Sequence, residues 1–181
     1  MTAMRAVPTG VERHLADEDI IVSKTDPRGW ITYVNRTFLS IADYVESDVL
    51  HQPHKIIRHP DMPRTIFKLL WSEISQGREV FAYVKNMARN GDHYWVFAHV
   101  TPTFDGAGRI VGYHSNRRAP DRPAIEDVSV LYRELCEIEA GAGDRKAGLA
   151  AGMQALEEKL AARGLDYDRF VFFHLADRRA A

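Results

Sequence analysis

The sequence predicts an α+β domain built on one antiparallel sheet and followed by a helical tail. Five short β-rich runs occur as a group of two and a group of three, with helical periods between the groups. Within each group the runs are joined by turn sequences of hairpin type. Composition then changes near residue 120: all three Trp and all eight Pro lie at or before Pro123, and the remainder of the chain is rich in Ala, Glu, Leu and Arg, which favour helix.

In chain order, Ile20 to Lys24 and Trp30 to Val34 are β-rich runs joined by Asp26-Pro27-Arg28-Gly29, whose Pro and Gly suit a tight turn. Residues 35 to 76 switch to helical periods. Phe38, Ile41 and Ala42 mark a short piece, and Ile66, Leu69, Leu70 and Ile74 a longer one. Pro53, Pro60 and Pro63 break the stretch between them, and Pro63 suits the first turn of the second helix. Strand character returns at Val80 to Met87 and His93 to Phe104, around Asn90-Gly91, a strong hairpin signal. Arg109 to Arg117 comes after Asp105-Gly106-Ala107-Gly108 as the fifth run. Ile125, Val128, Leu131, Leu135 and Ile138 form one helical stripe and Leu149, Met153, Leu156 and Leu160 another, separated by Gly141 and Gly143. Tyr167 to Leu175 is apolar enough that it is expected to dock.

Strand parity divides these residues between two faces. Tyr94, Val96, Ala98 and Val100 share one face, opposite His93, Trp95, Phe97 and His99; Val80, Ala82, Val84 and Asn86 likewise oppose Phe81, Tyr83 and Lys85. With the small residues inward there is room for a flat ligand beside the Asn86 amide. The aromatic face is then expected to be covered by the tail or by a second copy. Asn86 also has a purely structural reading, as partner to a buried backbone group.

Composition excludes several function classes. The 181 residues are 45% hydrophobic and 27% charged, enough for a packed core. With 24 basic against 25 acidic residues the net charge is −1, so nucleic acid is not an expected partner. The single cysteine, Cys136, cannot form an internal disulfide or a thiolate zinc site. No apolar run approaches the ~20 residues of a spanning helix, and the N-terminus lacks the apolar centre of a signal peptide, so a cytoplasmic protein without membrane insertion is expected.

Arg58-His59-Pro60-Asp61-Met62-Pro63 places a cation, an imidazole and a carboxylate within four positions, a cluster that suits a polar ligand. Its alternative is an Arg-Asp pair with Asp61 capping the next helix. His51, His54 and His59 crowd one segment without any metal-protease spacing. No P-loop, dinucleotide Gly fingerprint or nucleophile elbow is present.

Gln52-Pro53-His54, the Arg58 to Pro63 block, Val84-Lys85-Asn86 and Asn90-Gly91-Asp92-His93-Tyr94-Trp95-Val96, in this order of elements, resemble the PAS sensor domain of bacterial aerotaxis receptors. The resemblance covers about residues 15 to 120. It implies a PAS fold, a five-stranded antiparallel sheet with short helices on one face. It also implies FAD bound without covalent attachment and redox signalling to the chemotaxis machinery. Arg58, His59 and Asp61 fall on positions associated there with flavin binding, and Asn35, His54, Trp71 and Asn86 are further pocket candidates. Val80 stands where those receptors often carry a Trp. No cysteine lies near His54, which excludes the cysteinyl adduct of related light-sensing flavin domains. The receptors continue into membrane and signalling segments, whereas no output domain is expected in this chain.

The expected organisation is an N-terminal segment over 1–14, a PAS sensor domain over 15–120 and a helical extension over 121–181. The expected function is that of a non-enzymatic redox or oxygen sensor. It would act as a homodimer on a chemoreceptor, histidine kinase or other signalling protein in trans. Two alternatives stay open: a haem sensor using a histidine of the 51–59 segment or His114, and a cofactor-free interaction module.

Overall fold

The computed structural model describes residues 6–174, without the side chains of Phe173 and His174; Leu175 of the apolar C-terminal stretch lies outside the described residues. Strands β1 (Ile21–Thr25), β2 (Ile31–Val34), β3 (Val80–Met87), β4 (His93–Phe104) and β5 (Ile110–Arg118) form an antiparallel sheet in the order β2-β1-β5-β4-β3. The expected five-stranded antiparallel sheet, with short helical elements between its two strand groups and further helices after it, is therefore present.

Local chemistry explains the turns. Asp26 accepts from the Arg28 and Trp30 amides, each at 2.9 Å, and closes the β1–β2 hairpin. Gly91 holds φ +99° in the β3–β4 turn, and a side chain there would collide with the Val7 carbonyl. This close approach lets the N-terminal segment pack on the hairpin. Thr9 N–H donates to the Gly91 carbonyl, and Arg13 N–H to that of His93.

Four short elements lie between the two strand groups: α1 (Arg36–Ala42), α2 (Glu46–Val49), a 3₁₀ turn (His54–Ile57) and α3 (Arg64–Ile74). Pro60 and Pro63 keep the chain between the 3₁₀ turn and α3 out of helix. Ile66 and Ile74 bury the inner stripe of α3.

The tail forms α4 (Arg122–Gly141), α5 (Arg145–Ala161), α6 (Tyr167–Arg169) and a π-helical turn (Phe170–His174). It covers the aromatic sheet face. Tyr132 of α4 stacks at a tilt on Trp95, 6.2 Å between ring centres, and its hydroxyl donates to the Tyr83 carbonyl at 2.7 Å. Phe172 packs edge-on against Phe81 and Phe97. Tyr83 and Trp95 are consequently buried. The large apolar area on that face is shielded within one chain.

Candidate functional site

Strand register determines which side chains share the inner face. Ser23 pairs with Ser115 and Ile21 with Arg117; on the other side of β5, Arg117 pairs with Ala98 and Ser115 with Val100. Asn86 pairs with Tyr94 on edge strand β3. From β1 to β3 the inner face spans three inter-strand spacings, roughly 14 Å. Ala98 contributes little volume in its middle. Between this face, the 3₁₀ turn and α3 lies a cavity of about 920 Å³, within the range of cofactor sites.

One side of the cavity is polar and built from β1 and β5. The Arg117 guanidinium donates through Nη2 to Ser23 Oγ at 2.6 Å and to His54 Nε2 at 2.7 Å. Because Arg is a donor only, His54 Nε2 must be the unprotonated nitrogen. Burial, reinforced by the Arg117 charge, pushes the His54 pKa down to about 3. Burial also lowers that of Arg117, to about 10, which leaves it a cation at neutral pH. Arg117 Nη1 and Ser115 Oγ are buried without a partner. Across the cavity, on β3, so is Asn86 Nδ2. Buried polar atoms are nearly always satisfied, so these three mark where a polar ligand atom belongs.

The walls are apolar. Phe67, Leu70 and Ile74 of α3 face Val84, Ala98 and Val100 of the sheet, and Trp71 meets Tyr113 edge-to-face at 5.4 Å. The rim is basic: Arg58, Arg64 and Lys68 are joined by Arg145 and Lys146 from the start of α5. Arg58 lies 4.0 Å over the Phe67 ring and donates to the Met62 carbonyl at 2.9 Å. An outer groove of about 1310 Å³ shares Arg58, Arg64 and Arg145 with this rim and continues past His59, Arg89 and Cys136.

Of the residues singled out in the sequence, His54, Arg58, Trp71 and Asn86 line the cavity. The other three do not. Asn35 caps α1 through Phe38 N–H, accepts from Val22 N–H and donates to the Ile20 carbonyl, so its amide joins β1 to α1. His59 is buried toward the outer groove, its Nδ1 accepting from Asp61 N–H at 3.1 Å and its ring against His93. Asp61 is 64% exposed and pairs with Lys85 at 2.6 Å. Burial acts to raise the Asp61 pKa, but the Lys85 bond and charge, together with the neighbouring His59 and His93, outweigh it and the net shift is downward.

His114 faces away from the cavity and bonds Asn116, because parity puts Tyr113, Ser115 and Arg117 on the inner face. Val80 packs with Ile74 and Tyr113 in a small apolar cluster. Ser23, Ser115 and Arg117 are cavity residues that the sequence pattern did not single out. Ser115 and Arg117 alternate within the fifth run, but the meaning of that alternation depends on pairing with β1, where Ser23 sits opposite Ser115. Among the described residues no group of three or more His, Cys, Asp or Glu is placed to hold a metal ion. No described helix is long and apolar enough to cross a membrane.

Comparison with known proteins gives a consistent placement. A family model described as the PAS fold matches residues 31–117. The aerotaxis receptor of Escherichia coli is 39% identical over 121 residues, 67% of this chain and 24% of the receptor. The nitrogen fixation regulatory protein of Klebsiella pneumoniae is 28% identical over 62% of this chain and 21% of its own length. This chain thus spans less than a quarter of these relatives. Among solved structures, a light-oxygen-voltage domain from a flavin-analogue study superposes with TM-score 0.52 at 18% identity, covering 65% of this chain and 85% of that one. The dark-state Aureochrome1 light-oxygen-voltage domain superposes with TM-score 0.51 at 22% identity, covering 68% and 88%. These two likenesses concern the fold.

Proposed function

We propose, from the premise that residues 31–117 are a PAS domain, that this chain is a cytoplasmic redox or oxygen sensor holding FAD without a covalent bond in the 920 Å³ cavity. The observation that carries the reading is the set of unpartnered buried atoms, Arg117 Nη1 and Ser115 Oγ on one side and Asn86 Nδ2 on the other, across an apolar floor. A planar ring with polar atoms at both ends complements that pattern. The basic rim suits a pyrophosphate, which Arg binds through charge-assisted hydrogen bonds. Bound FAD supplies reversible electron uptake at its ring. Trp71, Tyr113 and Phe67 offer flat apolar surface to it, while Asn86 and Ser115 orient its edges.

The sensor role rests on kinship with the aerotaxis receptor and the nitrogen fixation regulatory protein. The output partner, by the same kinship, is a chemoreceptor, histidine kinase or other signalling protein in trans. Arg145, Lys146 and Leu149 of α5 border the cavity, so the α4–α5 hairpin touches the same site as the ligand and is the proposed output element. A ligand biases that hairpin only through contacts that differ between its two states. Because the tail covers the aromatic sheet face, that face supplies no argument for a homodimer. The haem alternative loses support as well, since His54 Nε2 is engaged by Arg117 and His114 points away.

The test is an absorption spectrum of the purified protein, followed by denaturation and mass analysis of the released cofactor. Two broad bands in the near-ultraviolet and blue with the mass of FAD are expected. One intense sharp band would indicate haem. A colourless protein that takes up no added FAD would overturn the reading.

A further inference from the structure

The β1–β5 side of the cavity is electrically unbalanced. Arg117 is 5% exposed, and its hydrogen-bond partners, Ser23 Oγ and His54 Nε2, are neutral acceptors. Among the described residues no carboxylate forms an ion pair with it; the charge-bearing neighbour that acts on it is Tyr94. Both titratable groups facing it are neutral at pH 7. Burial and then the Arg117 charge hold the His54 pKa near 3, and burial drives the Tyr94 hydroxyl above its ordinary value. The Phe38 ring lies 5.9 Å from the guanidinium carbon, the only aromatic compensation among the described residues. Nη1 is buried with no acceptor, and Ser115 Oγ, on the same face two residues earlier, also lacks a partner. A buried cation without a counter-charge is unfavourable unless something else supplies the charge.

We propose that Arg117 and Ser115 form an anion subsite that selects, among the states of a planar ligand, the one whose facing edge is negatively charged. The site is placed to act this way because its polar atoms come from the sheet floor, where Ala98 beside Arg117 leaves space for a ring. A neutral edge satisfies hydrogen bonds there but leaves the charge uncompensated. An anionic edge satisfies both. Where the ligand is FAD, the form selected is the singly charged reduced ring, and that arm rests on the function proposed above. Two electrons from a chemical reductant and one proton from solvent convert the neutral ring to that anion.

Full-length protein loaded with FAD is titrated with dithionite alongside reference dyes, as wild type, Arg117→Gln and Arg117→Lys. Wild type and Arg117→Lys should favour reduced over oxidised FAD at least about tenfold more than Arg117→Gln does, a shift of about 30 mV for a two-electron couple. Equal potentials in wild type and Arg117→Gln overturn the subsite. If Arg117→Gln does not fold, proton uptake by wild type at pH 6 decides: one proton per two electrons upholds the subsite and two protons overturn it. If the protein binds no FAD, the functional reading fails and the subsite is tested separately, by thermal unfolding with benzoate against the neutral isostere benzamide. A rise in Tm specific to benzoate in wild type upholds it, and no such rise overturns it.

Discussion

Arg64 Nε lies 2.8 Å from Glu139 Oε2, joining residues 75 apart in the chain at the point where the sheet domain meets its helical tail. The same carboxylate accepts from the backbone N–H of Arg64 at 3.1 Å and from the Thr65 N–H and hydroxyl at 2.8 Å each. Pro63 gives α3 no side-chain cap of its own. Glu139, from the last turn of α4, therefore caps α3 across space. Gly148 and Gly152 bring α5 against this junction, and a side chain at either would collide with Glu139, Arg64 or Thr65. Since Arg64 also lines the cavity rim and donates to the Arg145 carbonyl at 2.8 Å, one guanidinium touches the ligand space, α4 and α5.

Glu139→Ala removes the cap and leaves Arg64 without its carboxylate. The expected loss is about 3 kcal/mol, the scale for deleting one partner of a buried pair. Urea unfolding of the full chain measures it. Hydrogen exchange should quicken first in α3 and α4; uniform loosening of the whole domain would contradict a localised junction.

The same carboxylate makes the junction acid-sensitive. Burial acts to raise the Glu139 pKa, but bonds from the Thr65 N–H, the Thr65 hydroxyl and Arg64 outweigh it, so the folded value lies below the ordinary 4.5. Its contribution to stability is therefore complete above pH 4.5 and is lost as pH falls through the lower folded value. Stability measured from pH 6 to 3 should fall less steeply in Glu139→Gln than in wild type, because the variant has no proton to take up there.

His54 should stay neutral throughout the range in which histidines ordinarily titrate. Its folded pKa, near 3, is depressed from 6.5, so its contribution is present above pH 6.5 and declines as the unfolded chain becomes protonated below that. Imidazole resonances followed by NMR from pH 8 to 5 check this. A His54 midpoint near 6.5 would show that Arg117 does not donate to its Nε2.

Arg58→Ala should weaken FAD at least about tenfold, the equivalent of one charge-assisted hydrogen bond. Asp61→Asn, whose carboxylate lies outside the cavity lining, should change affinity less than about threefold by the same scale. Titration of the apoprotein compares them. Equal losses would mean that the loop conformation, rather than the Arg58 charge, governs binding.

Truncation after Ala119 uncovers Tyr83, Trp95 and Phe97, aromatics that bury about 150 to 250 Å² each when covered. Binding of a hydrophobic dye, aggregation or a larger mass in light scattering is expected. Tyr132→Phe is the milder test: losing its bond to the Tyr83 carbonyl should cost about 1 kcal/mol while leaving the face covered. A truncated protein that stays soluble and binds no dye would remove the case for the tail as a cover.

The strands, the three hairpins, the helical tail and the division of aromatic from small side chains on β3 and β4 were determined by the sequence alone. Each depends on neighbours in the chain: Asn90-Gly91 at a turn, alternation within a strand, apolar steps of three and four in a helix. Arg58 and Asn86 were legible too, one from a dense polar block and the other from parity. The polar station of the cavity was decided only by tertiary structure. Ser23 and Ser115 face each other because the first strand pairs with the last, a register that no local pattern encodes. Asn35 and Asp61 are polar residues in suggestive places, yet backbone amides at a helix start and a lysine on the next strand occupy them. In the sequence Glu139 is one of several glutamates in the stretch 122–141, with no local mark to distinguish it. Its role as the cap of α3 exists because folding brings an acceptor to amides that Pro63 leaves uncapped.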